Sequence, residues 1–166
     1  KYGGVYVFDE KLEKEIDNRE EERRIMTKGL SGKKLAENRY AVDMTPVNEK
    51  LPRVLSNGKR YYSRKDNIKI DNYKILNNYE EKLKEFMGKD YDKYENYLSI
   101  NLGYFYIDND TIIPISIGVS TLYTEVTFGL YGDEASGIKF TKESTQRLIG
   151  DNKFYLADNK FQKINK

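Results

Sequence analysis

The chain has no cysteine and no histidine in its 166 residues. Without thiols or imidazoles it has no disulfide, no Cys nucleophile, no Ser-His-Asp triad and no imidazole base, and nearly all nitrogen- or sulfur-ligated transition-metal sites are excluded. No metal site and no cofactor are expected. The lack of cysteine fits a reducing cytosol, and it fits equally well a bacterial exported protein that does without disulfides. Long apolar runs are also missing. No segment approaches the roughly 20 residues of a membrane span, and no signal-peptide core is present. The sequence begins at Lys1 instead of Met, which suggests a processed or truncated product, from a removed leader or anchor or from an artificial truncation; the first leans towards a secreted or cell-envelope location. Abundant Asn, Lys, Ile and Tyr suggest an AT-rich coding sequence, and so a bacterial or phage source.

What the chain does hold is aromatic bulk: 15 Tyr and 7 Phe, within 38% hydrophobic and 34% charged residues at a mean hydropathy of −0.81. A core built from Tyr, Phe, Ile and Leu is expected, in one domain spanning 1–166 with 1–30 as a strand-plus-helix N-terminal extension. The net charge of +2 is too small to identify a nucleic-acid binder. Its distribution is more informative: residues 51–89 carry 10 basic and 5 acidic side chains, against 8 and 11 over 90–166.

The pattern along the chain predicts an α+β fold. Val5–Phe8 read as a strand. Residues 9–28 read as a charged helix, with acids at its start, Arg23, Arg24 and Lys28 at its end, and Gly29 as its stop. Glu10/Lys14, Glu15/Arg19 and Glu20/Arg24 stand at i,i+4. Its apolar stripe of Leu12, Ile16, Met26 and Leu30 is interrupted, so weak packing at its middle is expected. A short helix is expected after Gly32, and an irregular connection over 40–52. Residues 78–88 read as a helix, with Asn78 as cap and Gly88 as stop, continuing by a turn or two through Tyr91 and Tyr94.

The apolar period then becomes two. Strands are expected at 99–107, 111–119 and 121–131, forming an antiparallel meander with a turn at Asp108–Asp110, and Pro114 is expected at an edge or bulge. In the third strand Leu122, Val126, Phe128 and Leu130 share a face. A strand at 137–141, a brief helix capped by Thr141 and ended by Gly150, and a final strand near 153–164 complete the prediction. The expected architecture is an antiparallel sheet (the meander at 99–131 plus a hairpin at 51–64) with an N-terminal charged helix and one or two packing helices.

Few motifs suggest chemistry. Gly29–Lys34 lacks the spacing of a phosphate loop and follows a helix. Asp90, Asp92 and Glu95 lack the glycine turn and the distal glutamate of a calcium loop. The loops at 108–110 and 131–137 have turn composition. Asn109-Asp110-Thr111 is a formal glycosylation sequon, meaningful only in a eukaryotic secretory protein. Glu125 is the best acid for carboxylate catalysis, on the polar face of what reads as a central strand beside Thr121, Tyr123 and Thr127.

The most distinctive stretch is RVLSNGKRYYSRK, residues 53–65. Asn57-Gly58 predicts a two-residue type I′ hairpin, pairing Leu55 with Arg60, Val54 with Tyr61 and Arg53 with Tyr62. That register places Tyr61 with Val54, inward, and gathers Arg53, Arg60, Arg64 and Tyr62 on the other face. Three guanidiniums on one face require anions: either Glu20–Glu22 of the first helix or an external partner. The sequence thus favours a non-enzymatic binding domain that contacts a protein partner through a Tyr-rich surface. A nucleic-acid or polyanion binder acting through Arg53, Arg60, Tyr62, Arg64 and Lys65 is the second reading. A carboxylate-based hydrolase is the third.

Overall fold

The computed structural model describes residues 1–30, 33–36, 39–76, 78–132 and 139–163. Strand β1 (Gly4–Val7) leads into helix α1 (Glu10–Lys28), which starts where the Asp9 carboxylate accepts the amide of Leu12 at 2.9 Å. The pairs Glu10–Lys14 and Glu15–Arg19 form as spaced. Glu20–Arg24 does not: Arg24 binds Glu21, and Glu20 turns inward.

In place of the expected short helix, β2 (Lys33–Ala36) pairs with β3 (Arg39–Ala41). A neighbouring strand supplies ladder bonds, whereas a helix this short is barely stable alone. The connection at 40–52 contains α2 (Thr45–Lys50), with Pro46 in its first turn, where a missing amide does no harm. After β4 (Tyr61–Ser63) and β5 (Lys74–Ile75) come α3 (Asn78–Met87) and α4 (Lys89–Tyr94), separated at Gly88 with φ 55. Asp90, in the first turn of α4, binds Lys1 at 2.9 Å and accepts the Tyr2 hydroxyl.

The predicted meander is instead one long hairpin that serves two sheets. Its arms are β6 (Leu98–Leu102) with β7 (Tyr104–Asp108), and β8 (Thr111–Pro114) with β9 (Ser116–Tyr131). Leu98 pairs with Thr121, Leu102 with Ile117, Phe105 with Pro114 and Asp108 with Thr111, so one register runs throughout. The turn at Asn109-Asp110, both at positive φ, is the two-residue loop that the composition foretold. The chain breaks strand geometry at Gly103 and Ile115, and there the hairpin passes from one sheet to the other. Residues 111–119 and 121–131 are therefore not separate strands.

Thr141–Ile149 is not helical either. It belongs to β10 (Lys139–Ile149), paired along β9 from Ile149–Ser120 to Thr141–Phe128. The apolar residues here lack helical spacing, and the long partner strand decides the outcome. Residues 137–138, part of the strand expected there, lie outside the described residues. The tail forms two strands, β11 (Asn152–Ala157) and β12 (Lys160–Lys163), around a second positive-φ pair, Asp158-Asn159.

The six-stranded sheet runs β10-β9-β1-β11-β12, with β6 on the opposite flank of β9. β1 lies at its centre, parallel to β11 and antiparallel to β9. This close neighbourhood requires glycine: at Gly4, φ 147, a Cβ would stand 2.1 Å from the Asn152 carbonyl oxygen. One face of this sheet packs Tyr6, Ile117, Val119 and Phe154 against Leu83, Met87 and Tyr91 of α3 and α4. The four-stranded sheet, β4-β7-β8-β5, shares with α1 a second core of Ile16, Leu55, Tyr61 and Ile115. The structure is thus α+β with an N-terminal charged helix; its sheets are mainly antiparallel, as expected, but the two larger ones are mixed, each with one parallel pair, β1–β11 and β5–β8. Helix α1 buries little apolar surface, as its interrupted stripe implies, and also buries Glu13 and Arg23. Arg23 donates to the Leu51 carbonyl and to Asn48.

Candidate binding site

The basic hairpin forms, but one residue out of the predicted register. The amide of Leu55 donates to the Lys59 carbonyl at 2.8 Å, that of Gly58 to Leu55 at 2.9 Å, and that of Tyr61 to Arg53 at 3.1 Å. The loop is thus Ser56-Asn57-Gly58. Gly58 alone takes positive φ, at 78, while the Asn57 side chain accepts the Lys59 amide. Val54 bridges Arg60, and Arg53 faces Tyr61. Burial explains the choice: Leu55 and Tyr61 both enter the second core, and the predicted register would put them on opposite faces.

The slip divides the predicted arginine face. Arg53 turns inward, its Nε 2.9 Å from Glu20 Oε1 and its Nη1 2.9 Å from Asp66 Oδ1. Tyr61 donates its hydroxyl to the same Glu20 oxygen at 2.7 Å. Burial opposes the charge on Arg53, yet its bond to Glu20 and the nearby Asp66 keep its pKa above the ordinary arginine value. Burial, then the bond to Glu20, pushes the Tyr61 phenol up. Tyr61 therefore points inward as expected, and the first helix supplies the anion for Arg53.

Arg60 and Tyr62 stay on the outer side. The Arg60 guanidinium lies 5.5 Å from the Tyr62 ring centre, and that ring stacks on Phe105 at 5.8 Å. Arg64 and Lys65 occupy an exposed turn closed by Asp66, which accepts the Ser63 amide and hydroxyl. Arg60, Arg64 and Lys65 make no ion pair with the described residues.

Arg53, Arg64 and Lys65 come together again at a cleft of about 520 Å³ between α1, this turn and the open face of the six-stranded sheet. Its floor is built of small or polar residues, Asn101, Ser116, Gly118 and Ser120, with Arg147 of β10 at one end. A Cβ on Gly118 would meet only the Asn101 carbonyl, at 4.0 Å, so the floor is open. Glu13 lines the wall. Burial raises its carboxyl pKa despite Lys153 Nζ at 2.9 Å. Among the described residues, Arg147 donates to the Ser99 hydroxyl at 3.3 Å and makes no ion pair.

Beyond Thr121, β9 and β10 leave the body as a two-stranded arm. The residues expected to form the core of a central strand lie here in solvent: Phe128 is 81%, Leu130 75% and Val126 44% exposed. On β9 the core face is the odd-numbered one, Ile117 and Val119. The apolar phase then switches to even positions, Leu122, Val126, Phe128 and Leu130, without a turn. That switch, across Ser120-Thr121, is the sequence signal for a strand leaving its core. The exposed stripe continues the cleft floor, because Ser116, Gly118 and Ser120 are also even-numbered. Glu125, on the other arm face, sits opposite Ser144 with Lys142 and Gln146 alongside, and no second acid shares that face among the described residues. The loop at 133–137 lies outside the described residues. Among those described, no cluster of acids could hold a metal ion, and no helix is long and apolar enough to cross a membrane.

No known family, curated protein or solved structure matches this chain.

Proposed function

We propose that this chain is a non-enzymatic binding domain of a bacterial or phage protein, exported or envelope-associated, and that it takes a protein partner on the arm. The observation that carries this reading is the apolar stripe of Val126, Phe128 and Leu130, held out on two strands with no layer against it among the described residues. A lone two-stranded ribbon is marginally stable in water, and clustered exposed apolar side chains mark contact surfaces. A covering partner answers both. The test is a photo-crosslinking residue at position 128, with exposed position 11 of α1 as control. A discrete adduct at 128 and none at 11 is expected; no adduct at 128 removes the reading.

Polyanion binding is the second reading. Its support is the set of exposed cations Arg60, Arg64 and Lys65, with Tyr62 beside them. Such binding would weaken steeply with salt, and salt-insensitive or absent binding of single-stranded nucleic acid would exclude it.

A further inference from the structure

The even face of β9 is graded in size along its length. Gly118 and Ser120 lie at the cleft end, Phe128 and Leu130 at the outer end, and Thr124 midway. Turning the strand end for end about Thr124 exchanges 118 with 130, 120 with 128 and 122 with 126. On β10 the residues opposite Val126, Thr124 and Leu122 are Glu143, Thr145 and Arg147. The same rotation exchanges Glu143 with Arg147. Both are exposed, and neither makes an ion pair with the described residues.

We infer that the partner on this face is a second copy of the chain, packed face to face about a two-fold axis through the Thr124–Thr145 pair. In this isologous arrangement Leu130 covers Gly118, Phe128 lies over the small Ser120, and Leu122 meets Val126 nearer the axis. Facing sheets lie about 10 Å apart, with room for one interdigitated layer of side chains, so large against small fills the gap at both ends. The open floor above Gly118 is where that room exists. Charge agrees with size, since each Glu143 meets the other copy's Arg147, twice by symmetry. A foreign partner would require neither symmetry. The inference rests on the binding reading above and specifies its partner.

The chain has no cysteine, so one introduced thiol reports unambiguously. Thr124→Cys lies on the axis and Thr127→Cys on the opposite face. Treated with a short bis-maleimide, which spans the gap between facing sheets where a direct disulfide cannot, the first is expected to form a covalent dimer and the second to remain monomeric; equal rates overturn the arrangement. In sedimentation experiments Glu143→Arg and Arg147→Glu should each weaken the dimer about tenfold, and the double variant should restore it. Double and single variants weakened alike overturn the pairing. Phe128→Asp, which touches neither core, should abolish dimerisation with an unchanged circular dichroism spectrum. A wild-type chain that stays monomeric while position 128 crosslinks to a foreign protein overturns the second copy and keeps the binding reading. Monomer without any crosslink removes both.

Discussion

Glu20 and Arg53 stand 33 positions apart in the chain, and their side chains meet at 2.9 Å. Because Tyr61 and Asp66 join them, this pair fastens α1 to the basic hairpin. Arg53→Ala leaves the partly buried Asp66 without its cation and Glu20 to the longer contact with Arg23, at 3.5 Å, and a loss of about 2 kcal/mol is expected in urea unfolding. Tyr61→Phe should lose about 1 kcal/mol. Charge reversal at exposed Arg60 should leave stability unchanged, and a comparable loss there would mean that Arg60 also has an internal partner.

Two turns in this chain place both central residues at positive φ, Asn109-Asp110 and Asp158-Asn159. Glycine tolerates that backbone far better than any L side chain. Asp110→Gly and Asn159→Gly should therefore raise the melting temperature, whereas alanine at the same positions should lower it. Asn57 is not at positive φ, so Asn57→Gly should gain nothing and lose the bond to the Lys59 amide.

Gly103 and Gly118 predict opposite outcomes for one change. A Cβ at Gly103 would fall 2.5 Å from Ser116 Oγ and 3.0 Å from the Ser116 carbonyl oxygen, at the bend where the long hairpin changes sheets. Gly103→Ala should lower the melting temperature. Within one copy Gly118→Ala meets only ordinary contact and relieves the entropic penalty of glycine in a strand, so the monomer should gain roughly 0.5–1 kcal/mol. Thermal unfolding of the two variants side by side checks both.

Acid should loosen the Arg53 cluster. Burial opposes ionisation of Asp66, but the Ser63 amide and then Arg53 outweigh it and hold its carboxyl below the usual aspartate range. A depressed acid stabilises the fold above its unfolded value, and that contribution disappears as pH falls through the folded value. Asp66→Asn should therefore lose about 1 kcal/mol at neutral pH, with the gap closing in strong acid. Glu13 has the opposite sign. Its raised pKa makes protonation favour the fold as pH falls from that value towards the ordinary glutamate range. Titration of both carboxyls by NMR, Glu13 above Asp66, is the direct check.

Local signals carried much of this architecture. Asp9, the i,i+4 charges and Gly29 bounded α1, and the Asp108–Asp110 composition located the turn of the long hairpin. What failed was register, depth and the two short helices that are strands, β2 and part of β10, all of which depend on pairing partners. The Asn57-Gly58 pair is compatible with two- and three-residue loops, and the choice was made by Leu55 and Tyr61 finding one common core. Alternation in 121–131 identified a strand correctly, yet it could not show that no layer covers Phe128 and Leu130. Of the five residues expected at the binding surface, the slip sends Arg53 inward to Glu20 and leaves Arg60 beside Tyr62. The cleft was invisible because its walls come from α1, the turn at 63–66 and β10, which are far apart in sequence.

The central position of β1 also sets the order of events during synthesis. Gly4–Val7 cannot gain its parallel neighbour until residues 152–155 have emerged, about 150 residues later. Such remote pairing is slow to form. Until then β1 keeps an open edge, and the nascent chain is most prone to aggregate or to bind a chaperone.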